Sequence, residues 1–186
     1  MKNIILTTSI ITLAIFTLLF TQSSCKKTTP PDPNEEELIT TFKIIFTDSN
    51  GTKPNIEAIY KDLDGDGGNN PSVFDTIRLQ SNTTYNATIL LLDESKTPVD
   101  TISNEVLEEG NEHLFCFTPT NTNTTIVRTD KDINNLEIGL RSKWITGTAS
   151  NGTTQIVLRH QPDNTKNGNC NIGSSDIDLT FQTIIY

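Results

Sequence analysis

Hydrophobic and polar residues alternate with a period of two over most of the chain. In Phe42-Lys43-Ile44-Ile45-Phe46-Thr47, the residues Phe42, Ile44 and Phe46 share one face. In the last segment Ile177, Leu179, Phe181 and Ile185 do so, with Asp178, Thr180 and Gln182 opposite. Neighbouring side chains of an extended chain point to opposite faces, so this pattern predicts half-buried strands. Comparable stretches fall near 56–61, 72–79, 84–92, 113–118, 123–129, 140–146 and 153–160, each closed by Asn, Gly, Asp or Pro. Such spacing predicts an all-β fold, a two-sheet immunoglobulin-like β-sandwich of about eight or nine strands. The one helical signal runs from Ser103 to Glu109, where Ile102, Val106 and Leu107 fall near helical spacing and Gly110 offers a left-handed stop.

The first residues break this pattern. Residues 1–24 combine Lys2, an apolar run from Ile4 to Phe20 and the short polar stretch Thr21-Gln22-Ser23-Ser24. That order predicts a secretory signal, with an uncleaved membrane span as the alternative. Ser23-Ser24-Cys25 resembles a lipobox, in which Cys25 becomes the acylated N-terminus. Its acyl chains would hold the chain on a lipid bilayer without a protein span. Residues 25–37 then form a spacer, since three prolines and a run of acids offer no residue for a core. The domain proper is 38–186, enough chain for one core.

The whole sequence carries 14 Lys and Arg against 23 Asp and Glu, and loss of the leader removes one lysine, leaving a formal charge of −10. Nucleic acid is therefore a poor partner, and cations or basic surfaces are better ones.

Asp62-Leu63-Asp64-Gly65-Asp66-Gly67 matches the front half of a calcium loop: Asp62, Asp64 and Asp66 at alternate positions can wrap a hard cation, and the glycine permits the bend. The back half departs from that pattern, with Val73 at the twelfth position, so an Asp/Gly-rich connection capped by its own side chains is the alternative. His113 and His160 each end a predicted strand in phase with core residues. With Glu109 and Glu112 they would make a zinc or copper set if the strand ends meet; structural imidazoles are the alternative. Cys116 and Cys170 can form a disulfide in an exported protein, or Cys116 can remain a buried thiol. Trp144 and Tyr60 could stack on a sugar or haem, though a lone Trp in an alternating strand is ordinarily core. No nucleophile elbow, phosphate loop or HExxH occurs in the sequence, which favours binding over catalysis.

Several segments together carry a family likeness: Cys25 with its Pro/Glu spacer, Glu37-Leu38-Ile39-Thr40-Thr41, Asp62–Gly67, Thr84-Tyr85-Asn86-Ala87, Glu108-Glu109-Gly110-Asn111-Glu112-His113 and Leu158-Arg159-His160-Gln161-Pro162. Over nearly the whole mature chain the sequence resembles a group of small Bacteroidota lipoproteins, which often carry the label type 1 periplasmic binding fold superfamily protein. That label implies two α/β lobes. This chain has roughly half the necessary length and reads strand after strand, so the strand pattern sets the expected fold. The resemblance implies an outer-membrane lipoprotein of the cell envelope. Gln22 departs from the usual lipobox, and Lys26 and Lys27 precede the acids of the spacer, which leaves the periplasmic and surface faces both open. Asp75-Thr76-Ile77 and Asp100-Thr101-Ile102 are similar to the triplets at which such bacteria glycosylate exported proteins, making Thr76 and Thr101 candidate acceptors. Two functions are expected of such a chain: a ligand- or metal-binding accessory module, beside a TonB-dependent outer-membrane transporter, or a structural protein-interaction lipoprotein with no small ligand.

Overall fold

In the computed structural model, which describes residues 38–65 and 68–186, the alternating segments form ten strands and one helix. The leader, Cys25, the spacer to residue 37, Asp66 and Gly67 lie outside the described residues. The strands are β1 (Thr41–Asp48), β2 (Ile56–Lys61), β3 (Val73–Phe74), β4 (Ile77–Leu79), β5 (Thr84–Leu92), β6 (His113–Thr120), β7 (Thr124–Arg128), β8 (Arg141–Thr146), β9 (Ser150–His160) and β10 (Ser174–Ile185). Helix α1 spans Ile102–Glu108. Two sheets result, one ordered β3-β2-β1-β5-β8-β7 and the other β4-β10-β9-β6. All pairings are antiparallel except β4 on β10. The fold is a two-sheet β-sandwich.

Alternation places the core where the sequence pattern puts it. Phe42, Ile44 and Phe46 of β1 face Phe115 of β6, Ile156 and Leu158 of β9 and Leu179 and Phe181 of β10 across the interior, in one cluster. Trp144 is fully buried, edge-on to Phe46 at 5.0 Å, and its indole N–H donates to Ser142 Oγ at 3.0 Å. It is therefore a core residue with its one donor satisfied, closed to any sugar or haem.

Two expectations need correction. The strand expected over 72–79 is two strands in two different sheets, which raises the count to ten. At the break, Asp75 Oδ2 accepts from the Ile59 amide at 2.9 Å and the Asp75 amide donates to Ile59 O at 2.9 Å, so the chain peels from β2 and crosses to β10. Gly110 is not in the left-handed region. Glu109 closes α1 by donating to Glu105 O at 2.8 Å. Glycine is needed at 110 for space: a Cβ would lie 2.6 Å from Ile138 Cδ1. Among the described residues no helix is long and apolar enough to cross a membrane.

Candidate functional site

The sandwich end at which β1, β6 and β10 begin and β2 and β9 finish holds most of the chain's candidate chemistry. A cleft of about 410 Å³ lies there, lined by Leu38, Ile39, Tyr60, Asp62, Gly65 and the run Ser175 to Leu179. Asp62 follows directly on β2, held by the hydrogen bond that its backbone N–H donates to Thr40 O at 2.9 Å. It is only 5% exposed. One carboxylate oxygen, Oδ2, accepts from Tyr60 Oη at 3.3 Å, while Oδ1 is buried with no hydrogen-bond partner among the described residues. A buried carboxylate oxygen without a donor is costly, and such an atom in a cleft wall marks a place where a cation or donor would be welcome.

The neighbouring loop residue is used differently. Asp64 is exposed, and its Oδ2 accepts from the Asn69 amide at 2.9 Å and from Asn69 Nδ2 at 2.8 Å. These bonds, with a smaller contribution from Asp62, hold its carboxyl below the usual carboxylate range. Asp64 thus closes its own loop, its carboxylate tied to a residue five positions further on. Asp66 lies outside the described residues.

Behind the cleft wall stand the histidines. His113 and His160 are direct partners in the β6–β9 ladder, and alternation turns both rings inward. They stack, with centroids 4.9 Å apart and planes 9° from parallel. His113 Nδ1 lies 3.2 Å from the backbone carbonyl of Glu109. A carbonyl only accepts, so Nδ1 carries the proton in the neutral ring. Nε2 of His113 is 3.8 Å from Asp176 Oδ2, and Nε2 of His160 is 3.7 Å from Glu112 Oε2. Both separations are too long for a hydrogen bond. For His113, however, burial dominates and, with smaller contributions from His160 and Lys166, takes its pKa down to about 4. Near neutral pH that ring is uncharged and its contact with Asp176 is not a salt bridge.

The expected transition-metal set is therefore placed in a geometry that does not converge. Glu109 offers its carbonyl to His113 in place of a carboxylate. Stacked rings hold their nitrogen lone pairs in parallel planes, whereas a shared ion needs both directed at one point about 2.1 Å away. Among the described residues no group of three or more His, Cys, Asp or Glu is arranged to hold a metal ion.

Asp176 has no sequence signal. Plain alternation puts it on the outer face with Asp178, but the β9–β10 register shifts between Ser175 and Ile177, and the carboxylate of Asp176 is only 2% exposed against His113. A bulge has re-aimed it, so that it lines the cleft and reaches the histidine pair together. Asp178 keeps to the outer face, where it also borders the cleft and accepts from Gln155 Nε2 at 2.7 Å.

The segment between β9 and β10 folds over the outer face of the four-stranded sheet. Cys170 within it is joined to Cys116 of β6 by a disulfide, with Cα atoms 5.9 Å apart. Leu114, Cys116 and Val157 form a small second core beneath it. Gln161 Nε2 donates to Asn169 O and Ile172 O, both at 2.8 Å. Lys166 is buried and donates to Gly110 O at 2.6 Å and Asp132 Oδ2 at 2.8 Å. A lysine in an Asn-rich stretch reads as solvated, so this pin was not legible in the sequence. Thr76, between β3 and β4, and Thr101, just before α1, are both half-buried.

Compared with protein-family models, curated proteins and solved structures, the chain matches none.

Proposed function

We propose that this is a non-enzymatic binding module, tethered to the outer membrane through acylated Cys25, that takes a small organic cation in the cleft at the end of its sandwich. The buried Oδ1 of Asp62 in the cleft wall, which has no hydrogen-bond partner among the described residues, carries the reading. An organic ammonium suits the lining better than a bare ion. Leu38, Ile39 and Tyr60 offer an apolar wall beside Asp62 and Asp176, whereas calcium wants six to eight converging oxygens. The acidic balance of the chain favours the approach of cations over a wide area. Tethering fits an accessory that delivers such a ligand to a transporter in the same membrane.

The test is melting and calorimetric titration of the full chain in detergent, with a diamine, a guanidino compound, a quaternary ammonium and calcium chloride in turn. A ligand at a hundredfold its Kd adds about 2.7 kcal/mol, which for a domain of this size raises Tm by roughly 5–10 °C. The gain should disappear in Asp62→Asn. A response to calcium alone would assign the cleft to the Asp62–Asp66 loop, and indifference to all four probes would remove the binding reading.

A further inference from the structure

Arg128, the last residue of β7, spans the open side of the sandwich to β6. Its Nε donates to Phe115 O at 2.5 Å and its Nη1 to Glu137 Oε2 at 2.8 Å. That leaves Nη2, which points at the disulfide, 3.3 Å from Cys170 Sγ and 3.9 Å from Cys116 Sγ. A guanidinium gains almost nothing from a neutral disulfide. It gains a great deal from a thiolate, because a neighbouring cation stabilises the deprotonated sulfur. The arrangement is therefore preorganised for the reduced state. Whatever stabilises the reduced form of a cysteine pair makes its disulfide a stronger oxidant.

Access follows the same direction. Cys116 is buried beneath the crossing segment, whereas Cys170 is half-buried between the exposed residues Asn169 and Asn171. The structure also provides for survival of the reduced fold, since the Gln161 bonds and the Lys166 pin hold the same segment without the disulfide.

We propose that Cys116–Cys170 is a thiol–disulfide exchange site that accepts two electrons from a dithiol partner, with Arg128 as its positioning cation. The partner's thiolate attacks Cys170 Sγ, and its electron pair forms the new S–S bond. The Cys116–Cys170 bond breaks and its pair leaves on Cys116 as a thiolate beside Arg128. The partner's second thiol, deprotonated, then attacks the partner sulfur of the mixed disulfide and expels the Cys170 thiolate, 3.3 Å from Nη2. The partner ends as a disulfide, this chain as two thiols, and the protons released by the partner return to solvent or to the new thiolates. The inference is independent of the cleft.

The test equilibrates the full chain in detergent with mixtures of reduced and oxidised dithiothreitol, and reads Cys116 and Cys170 by alkylation and peptide mass spectrometry, apart from Cys25. Arg128→Met should resist reduction roughly tenfold more than the unaltered chain, a shift of about 30 mV for a two-electron couple. Glu137→Gln, which removes the counter-charge from Arg128, should shift the equilibrium the opposite way. Mere loosening of the fold moves both variants in the same direction, so that result overturns the proposal, as does an Arg128→Met equilibrium within twofold of the unaltered chain. If Arg128→Met fails to fold by circular dichroism, Glu137→Gln and a salt series on the unaltered chain decide. Reduction should become harder as salt screens the guanidinium, and indifference to salt overturns the proposal.

Discussion

Replacing Lys166 by Met puts the sharpest question to this structure, because it leaves a buried carboxylate without its cation. Both side chains of the Lys166–Asp132 pair are only 1% exposed, and the ammonium meets Asp132 Oδ2 at 2.8 Å. It also satisfies Gly110 O, which would lose its donor. Asp132 cannot turn away to water, since its Oδ1 accepts from the amides of Asn134 at 2.8 Å and Leu136 at 2.9 Å and shapes that loop. Breaking one side of such a pair costs about 3–5 kcal/mol, a large part of the roughly 5–15 kcal/mol that holds a domain together. The pH dependence sharpens the prediction. Burial pushes the Asp132 carboxyl up, but the Lys166 bond and the Leu136 and Asn134 amides outweigh it, and the group sits below the usual carboxylate range. Its contribution is therefore present above the unfolded value near pH 4 and lost as pH falls through the folded one. Without Lys166 that loss should begin at higher pH. Urea unfolding at pH 7 and at pH 5 measures both effects. In the double variant with Asp132→Asn, the cost should be smaller than the two single costs added by at least about 2 kcal/mol. A cost below about 1 kcal/mol, or simple additivity, would mean that the pair is solvated and the segment over the sheet is not pinned as described.

Replacing Cys116 and Cys170 together by Ser frees a loop with a sequence separation of 54, and the chain-entropy relation gives a loss of about 4 kcal/mol, read as a lower denaturation midpoint at constant m. For His113, the folded pKa of about 4 lies below its ordinary 6.5, so the unfolded chain binds the extra proton. Stability from this group is complete above about pH 6.5 and falls by roughly 3 kcal/mol as the pH drops to about 4. His113→Phe should flatten the stability profile between those limits, and an unchanged slope there would show that the ring is not held neutral.

How the sequence and the three-dimensional fold divided the work can be followed residue by residue. Period-two alternation alone determined that the chain is a two-sheet sandwich, because burial of one strand face leaves a local mark at every second position. It likewise placed Phe42, Phe46, Trp144 and Phe181 in the core and turned His113 and His160 inward. Alternation says nothing about which strand is whose neighbour. The crossing at Asp75 was not read because Val73-Phe74 and Ile77–Leu79 are short apolar stretches only two residues apart, and nothing local says that they bond to different sheets. The stacking of the two imidazoles, the closeness of Cys116 to Cys170 and the meeting of Lys166 with Asp132 depend on register and on how the segment before β10 lies over the sheet. Asp176 depends on a single inserted residue that reverses the facing of its side chain. Those are contacts between positions far apart in the chain, and pairing across such distances is decided by the whole packed core, so no short window of sequence contains it.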